Sequence, residues 1–263
     1  MTYEKILIIV NKYDRASFNI YLQLKEIGKF DFYVVSKDII YTENLDLDII
    51  NKYDFIIFAS KHQSEKQMKT LSVHPVGNWR NADYGGEKGK IGKSSALFMK
   101  SLFENLNKNA NKAKLDNYAI SMESTHHGPL LDKPSAFIEI GSTNEEWGDV
   151  EAAKVIAKTI SDTIKNFKEN PYNEIVIGIG GPHYCPNFNK IQNGSNFAIS
   201  HIIPEYALPL TEEMLNEAIK KTEEKIDLVI LDWKGVGGAE ERQKMIEMLN
   251  RKYINFKRTS EIK

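Results

Sequence analysis

The chain has 263 residues, of which 41% are hydrophobic and 27% charged, and its formal net charge is −1. This composition is that of an ordinary globular chain, and it excludes a protein that attracts nucleic acid through a global excess of positive charge. A single cysteine excludes an internal disulfide framework and fits a reducing compartment. No apolar run approaches the roughly 20 residues that a membrane span needs, so we expect a soluble, cytoplasmic protein.

Buried strands and amphipathic helices alternate along the chain. Apolar runs predict strands at 5–10, 32–35 and 54–59, with a helix capped by Ser17 between the first two. Short strands follow at 71–74, 118–122 and 135–140, with a helix over 95–107. One long helix is predicted from Thr143 or Asn144 to about Phe167. Strands at 174–181, 197–203 and 228–231 and helices at 212–221 and 240–249 complete the pattern.

This alternation predicts an α/β fold with a mostly parallel central sheet flanked by helices. No internal repeat, low-complexity tract or linker interrupts it. We therefore predict a single domain over residues 1–263.

The segment 123–129, Glu-Ser-Thr-His-His-Gly-Pro, follows directly on the predicted strand 118–122. It places one carboxylate, two hydroxyls and two imidazoles in five consecutive positions, which core packing does not require. Adjacent side chains on a strand point to opposite faces, so only one of His126 and His127 can point into a given pocket unless the backbone has already turned at Gly128. We predict an active centre here, the alternative being a polar loop that closes a strand.

Other polar residues also follow predicted strands. Ligands of open α/β sheets bind beyond the carboxyl ends of the strands, so we expect these residues to converge on one crevice. They are His62, Glu123, His126, His127, Ser142, Thr143 and His183. Glu139 lies inside an apolar strand, where a carboxylate is costly unless it meets a cation or supports a site histidine. His201, also within a strand, is expected to be a core or edge residue.

A glycine- and lysine-rich segment at 84–93 precedes the predicted helix 95–107. Its backbone N–H groups, the helix N-terminus and the side chains of Lys88, Lys90 and Lys93 form a candidate phosphate cradle. The segment lacks the Gly-Lys-Ser/Thr spacing of a P-loop, so a flexible solvated loop is an equal alternative. The segment 251–258 interleaves basic with aromatic residues, which is typical of single-stranded nucleic acid binders and equally of a solvated last strand.

Five motifs occur in order along the chain. They are Lys61-His62 with Ser64, Leu71-Ser-Val-His74 leading to Gly77-Asn78, Glu123-Ser-Thr-His-His-Gly-Pro129, Glu139-Ile-Gly-Ser-Thr143 with Glu146-Trp147, and Gly178-Ile-Gly-Gly-Pro-His-Tyr184. Over essentially the whole chain, this series resembles the archaeal and plant type of D-aminoacyl-tRNA deacylase.

The resemblance implies a hydrolase that cleaves the ester between a D-amino acid and the terminal ribose of tRNA. It also implies dependence on Zn²⁺ and a fold related to the phosphorylase and peptidyl-tRNA hydrolase group. The partner would be aminoacylated tRNA, with no obligatory protein partner. The three lysines of the segment 84–93 are predicted to bind tRNA phosphates.

The residues fit the implied zinc dependence. Catalytic zinc takes three or four donors and keeps an open position for water. Because the chain has no cysteine pair, the donors must be histidines and carboxylates. We predict His62, Glu123, His126 and His127 as metal ligands. His126, His127 and Glu123 are also predicted to be catalytic, with Glu123 as general base or as an orienting group.

The remaining polar residues and glycines of the motifs are predicted to contact the substrate. They are Lys61, His74, Asn78, Ser124, Thr125, Gly141, Ser142, Thr143, Gly181 and His183. Gly141 and Gly181 are residues of the type that lets backbone approach a substrate closely in a chiral pocket. His74 and His183 are equally expected as hydrogen-bonded wall residues. A zinc-bound water and a route assisted by the ribose 2′-hydroxyl both fit these residues.

Two other classes of protein stay open. A zinc peptidase or a nucleoside phosphorylase could use such a crevice on the same type of fold. A non-catalytic tRNA-binding module would use the histidines structurally.

Overall fold

The computed structural model of the protein describes residues 3–262. In that range the first six strands are β1 (Ile6–Asn11), β2 (Asp31–Val35), β3 (Phe55–Gln63), β4 (Thr70–His74), β5 (Ala119–Met122) and β6 (Ser135–Ser142). They form one sheet in the spatial order β2-β1-β3-β6-β4-β5. Every pairing in this sheet is parallel except that between β4 and β6.

Four later strands form a second sheet, in which all pairings are parallel. They are β7 (Glu174–Ile179), β8 (Phe197–Ile203), β9 (Leu228–Leu231) and β10 (Phe256–Arg258), in the spatial order β10-β9-β7-β8. The predicted α/β fold with a mostly parallel sheet flanked by helices is confirmed. The apolar runs alone do not reveal that the strands divide between two sheets.

The helices in the described range cover the faces of the sheets. They are α1 (Arg15–Ile27), α2 (Leu47–Ile50), α3 (Ala96–Ala113), α4 (Asn144–Trp147), α5 (Val150–Asn166), α6 (Pro186–Gly194), α7 (Glu212–Lys220) and α8 (Ala239–Arg251). Helix α3 contacts β4 and β5 of the first sheet and β7 and β8 of the second, so it joins the two layers. None of these helices is long and apolar enough to cross a bilayer.

Two predicted helix boundaries are wrong. Asp14, not Ser17, caps α1, because its carboxylate accepts the backbone N–H of Ser17 at 3.1 Å. The Ser17 hydroxyl instead donates to the carbonyl of Ala59 on β3, at 2.6 Å. Ser17, which the sequence favours as the cap, therefore ties the first turn of α1 to the sheet instead.

The single long helix predicted from Thr143 or Asn144 is two helices. Thr143 and Glu146 form a capping box around α4, which ends at Gly148, and Asp149 caps α5. A Cβ on Gly148 would lie 2.3 Å from the guanidinium of Arg15, so the break packs tightly against α1. Helix α6, which begins at the proline after Cys185, has no counterpart among the predicted elements.

Candidate active site

His62, Glu139 and His74 lie side by side on one face of the six-stranded sheet. In the parallel pair of β3 and β6, His62 is opposite Gly141, two residues beyond Glu139. In the antiparallel pair of β4 and β6, His74 is opposite Phe137, two residues before Glu139. Side chains two residues apart on a strand share a face, so the two histidines stand on either side of Glu139.

The location of this cluster differs from the one expected at strand ends. Strands β4 and β5 run opposite to β3 and β6, so the carboxyl ends of the two pairs point in opposite directions. The carboxyl ends of these four strands therefore do not meet at one edge of the sheet. The site instead forms over the face of the sheet, where the three central strands bring their side chains together.

The segment that follows β5 crosses from the first sheet to the second. The backbone N–H of Glu123 donates to Val73 on β4, whereas that of Thr125 donates to Ile202 on β8. His127 then has a positive φ of 42°. Because the backbone has left strand geometry, both imidazoles of His126 and His127 line the same cleft.

Glu123 is fully buried and lies among three histidines. Its Oε2 accepts from His183 Nε2 at 2.8 Å and lies 3.5 Å from His126 Nε2. Its Oε1 lies 3.3 Å from His62 Nδ1. The buried carboxylate thus contacts all three imidazoles on the side away from the cleft. The three rings line the cleft, whereas Glu123 does not.

Glu139 is the second buried carboxylate of the cluster. Its Oε2 lies 3.4 Å from His62 Nδ1 and 3.6 Å from His74 Nε2. It therefore supports site histidines, as the cost of burying a lone carboxylate in a strand requires. The hydroxyl of Tyr184 lies 2.9 Å from the other nitrogen of His62, so both edges of that ring are held.

The burial of these groups sets their charge states. Burial alone would lower the pKa of His62, but the negative charges of Glu123 and Glu139 raise it to about 10. Burial would raise the pKa of both carboxyls, but the neighbouring histidines hold both below the usual range. We conclude that His62 is protonated and that both carboxylates are ionised at neutral pH.

His126 and His127 have the opposite charge state. Burial, with the neighbouring His74 adding to it, lowers the pKa of His126 well below its ordinary value and that of His127 to about 4. Both rings are therefore neutral at neutral pH and each has a nitrogen lone pair available.

Three histidines lie close together, and each has one ring nitrogen held by the backbone. Nδ1 of His74, His126 and His127 bonds to a backbone carbonyl at 3.1, 2.7 and 2.7 Å respectively. Each Nδ1 must donate to its carbonyl, so Nε2 is the nitrogen left free. One ligand atom from each of these histidines lies within 4.8 Å of the others.

Two other groups of three residues meet the same distance criterion within residues 3–262. They are Glu123 with His126 and His183, and His62 with Glu123 and Glu139. No group unites His62 with His126 and His127, so the predicted ligand set is not brought together as a whole. His74, predicted to contact the substrate, takes the place beside His126 and His127.

The cleft in front of the cluster has a volume of about 790 Å³, which is within the range of small-molecule sites. The predicted site residues that line it are Lys61, His62, His126, His127, Ser142, Thr143 and His183. Those that lie outside its wall are His74, Asn78, Lys88, Lys90, Lys93, Glu123, Ser124, Thr125, Gly141 and Gly181.

Two of the predicted substrate contacts have structural partners. The Asn78 amide donates to the carbonyl of Gly85 at 2.8 Å. The hydroxyl of Thr125 accepts from Ile202 N–H and lies 3.2 Å from Nδ1 of His201. His201 is itself completely buried, as expected of a core residue.

The two glycines make room for protein side chains. A Cβ on Gly141 would lie 2.7 Å from Cδ2 of His62, so this glycine lets the imidazole lie across β6. Gly181 has a φ of +80°, and a Cβ there would lie 2.9 Å from the carboxylate of Asp232. Close approach of the chain to itself accounts for glycine at both positions.

The predicted phosphate cradle is also revised. The N-terminus of α3 is occupied, because the carboxylate of Glu224 accepts from the N–H groups of Ala96 and Leu97 and from the hydroxyl of Ser95. Lys93 pairs with Asp132 at 3.0 Å. Of the three lysines in that segment, Lys88 and Lys90 keep exposed side chains.

Several cleft residues are absent from the predicted site. Trp147 donates its indole N–H to the carbonyl of His62 at 2.9 Å, and Lys61 Nζ lies 5.6 Å from its ring centre. Asp38 lies 3.7 Å from the same ammonium. Trp147 and Tyr184 belong to the motifs quoted above, whereas nothing in the sequence around Asp38 indicates a site.

An α/β fold whose cleft is lined by histidines that buried carboxylates orient is typical of the broad class of hydrolytic enzymes. Comparison with known proteins is more specific. The family model described as D-aminoacyl-tRNA deacylase matches residues 49–257. The chain therefore belongs to the D-aminoacyl-tRNA deacylase family.

Individual relatives agree with the family model. A D-aminoacyl-tRNA deacylase from Thermococcus onnurineus is 38% identical over 206 residues, covering 76% of this chain and 74% of the relative. One from Methanocaldococcus jannaschii is 33% identical, covering 97% and 99%. The crystal structure of a conserved protein of unknown function, AF0625, matches with a TM-score of 0.90 at 28% identity, covering 100% of this chain and 98% of the other.

Proposed function

We propose that this protein hydrolyses the ester bond of D-aminoacyl-tRNA and releases a free D-amino acid and tRNA. The observation that carries the proposal is the family match over residues 49–257, the range that contains every residue of the histidine and carboxylate cluster. Such a reaction removes D-amino acids from tRNA before they reach translation, so its proposed place is the cytoplasm.

The chain supplies its own groups for proton transfer. His183 lines the cleft with a side chain that is 31% exposed, and its Nε2 donates to the buried Glu123. That hydrogen bond fixes the ring and leaves Nδ1, 3.5 Å from the hydroxyl of Ser124, as the nitrogen able to accept a proton. Glu123 is thus the orienting group for His183 rather than the base itself.

Lys61 lines the cleft next to His62 on β3 and supplies positive charge there. Its side chain is 28% exposed and lies between the carboxylate of Asp38 and the ring of Trp147. These contacts hold the ammonium at a defined place. A developing negative charge on the ester carbonyl, or a phosphate of the terminal nucleotide, would be stabilised by it.

We also propose that the cluster binds zinc. His74, His126 and His127 offer three nitrogen donors whose Nδ1 hydrogens are already taken by backbone carbonyls, which is the usual support of zinc-binding histidines. Among residues 3–262, Nε2 of the buried His74 is one of the buried side-chain atoms that have no hydrogen-bond partner. A bound cation would satisfy such atoms.

The charge balance supports the same proposal. Glu123 and Glu139 are buried and ionised, and the protonated His62 compensates only one of these charges. A divalent cation next to the neutral histidines would more than offset the remaining negative charge. Bound zinc would supply Lewis acidity to the ester carbonyl or lower the pKa of a water molecule.

The direct experiment measures release of D-tyrosine from D-tyrosyl-tRNA, with L-tyrosyl-tRNA and a dipeptide as parallel substrates. We expect rapid release only from the D-ester. Equal release from both esters would contradict the chiral preference, and hydrolysis of the dipeptide alone would move the protein to the peptidases. Phosphate-dependent cleavage of a nucleoside would instead support a phosphorylase.

The variant His183→Gln tests the role of His183 in proton transfer. Glutamine has a side chain of similar size and can still donate a hydrogen bond, but it lacks the basic ring nitrogen. We expect kcat to fall by a factor of about 100 or more, because general base catalysis contributes roughly 10²–10⁴-fold. The KM should change little. A variant with unchanged kcat would exclude His183 from proton transfer.

A further inference from the structure

Two exposed aromatic side chains line the mouth of the cleft. Tyr41 is 49% exposed and Tyr84 is 66% exposed, yet both belong to the cleft wall that includes His126 and His127. Within residues 3–262, neither side chain makes a hydrogen bond or a ring contact. Their ring faces are therefore free for a ligand.

The backbone around Tyr84 is held from three sides. Its carbonyl accepts from the N–H of Gly128, directly after His127, at 2.9 Å. The next carbonyl, that of Gly85, accepts from the Asn78 amide at 2.8 Å, and the N–H of Gly86 donates to the carboxylate of Glu43 at 2.6 Å. The ring is thus exposed on a backbone that is fixed next to the proposed zinc ligands.

Tyr41 is fixed to the same place. It ends a short 3-10 helix that spans Ile39–Tyr41. A Cβ on Gly85 would lie 1.8 Å from the carbonyl oxygen of Ile40, and one on Gly128 would lie 2.7 Å from it. The residue before Tyr41 and the residue after Tyr84 are therefore in direct contact, and both tyrosines flank the segment that carries His127.

Two exposed aromatic rings on a fixed backbone beside a reaction centre suit a flat, unpaired ring system. Nucleobases of single-stranded RNA bind proteins by stacking on aromatic side chains, whatever the base sequence. In the substrate of the proposed function, the unpaired terminal base is one ribose away from the ester. With a net charge of −1 and two exposed lysines in the glycine-rich segment, the chain offers little excess positive charge to hold this end, and stacking would add affinity that does not depend on charge.

We propose that Tyr41 and Tyr84 form a stacking platform for the unpaired nucleobase at the 3′ end of the substrate. This inference rests on the proposed function and adds the part of the site that recognises the nucleoside. The platform positions the ester over the histidines. It does not take part in the chemical step.

The test compares two substrates of each variant, D-tyrosyl-tRNA and D-tyrosine ethyl ester, which lacks a nucleoside. The measured quantity is the ratio of their kcat/KM values. Tyr84→Ala and Tyr41→Ala should each lower this ratio by about 5- to 150-fold, the range that base–aromatic stacking covers. Tyr84→Phe keeps the ring and should restore the ratio. Tyr253→Ala, which removes a tyrosine that is 95% exposed and lies outside the cleft wall, is the matched control and should leave it unchanged.

Two results would overturn the platform. An unchanged ratio in both alanine variants would show that the rings do not bind the base. An equal loss of kcat/KM with both substrates would show that the tyrosines contact the amino acid instead.

A binding measurement separates this inference from the proposed function. The fluorescence of 2-aminopurine riboside should be quenched by the wild-type protein and by Tyr84→Phe, but not by Tyr84→Ala. If wild type released no D-tyrosine but still quenched the riboside through Tyr84, the proposed reaction would fail and the nucleobase site would stand. If wild-type enzyme released D-tyrosine but did not quench the riboside, the proposed reaction would stand and the nucleobase site would fail.

Discussion

His74 is the residue that best tests the proposed zinc site, because its ring is completely buried and forms no part of the cleft wall. Its centre lies 4.1 Å from that of His126 and 4.8 Å from that of His127. A substrate in the cleft would not contact it. If His74→Ala abolishes activity without unfolding the chain, the effect must pass through what the three imidazoles hold.

The size of the effect follows from the geometry. Loss of a hydrogen bond that merely orients a ligand lowers metal affinity about 10- to 100-fold, so loss of one of three nitrogen donors should reach at least about 100-fold, or roughly 2.7 kcal/mol. The ring also stacks on Phe137 with a centroid distance of 4.9 Å. Its removal should leave a cavity and lower the free energy of unfolding by about 3 kcal/mol.

Zinc content per chain should be measured by elemental analysis, and affinity by competition with a chromophoric chelator. The matched control is His201→Ala, which removes an equally buried, hydrogen-bonded imidazole that belongs to none of the three possible ligand groups. We expect the control to retain zinc and His74→Ala to lose it. Zinc bound by His74→Ala with wild-type affinity would refute the assignment of these three histidines.

Three further predictions concern the metal, pH and RNA binding. Dialysis against a chelator should remove deacylation and added zinc should restore it; full activity of metal-free protein would point to the route assisted by the 2′-hydroxyl. Burial lowers the pKa of His201 to about 4, so the unfolded chain binds this proton first, and stability should fall by roughly 3 kcal/mol between pH 6.5 and 4. Urea unfolding of His201→Asn should show a flatter pH dependence over that window, and an unchanged slope would contradict it. Joint replacement of Lys88 and Lys90 by alanine should reduce the salt dependence of tRNA binding by about 1.5 units, whereas Lys93→Ala, already paired with Asp132, should change it little.

Local sequence determined most of the elements and the segment at the centre of the site. Continuous apolar runs place the strands, since a buried strand must be apolar on both faces, and helical spacing places α7 and α8 close to their observed bounds. Helix α3 extends to Ala113, beyond the end predicted at residue 107. The run from Glu123 to Pro129 indicates the candidate site because it concentrates polar groups where packing does not need them. These features depend on residues that are near one another in the chain.

Tertiary structure decided which groups meet. The antiparallel pairing of β4 with β6 brings His74 to Glu139, and no periodicity in either strand encodes that direction. The N–H groups at the N-terminus of α3 donate to Glu224, which is 128 residues away in sequence from Ala96. The sequence around the helix could not predict this contact. Gly141 is explained only by the imidazole that lies across it. The physical reason is the same in each case: strand pairing and packing join residues that are distant in sequence, whereas periodicity and capping signals report only on neighbours along the chain.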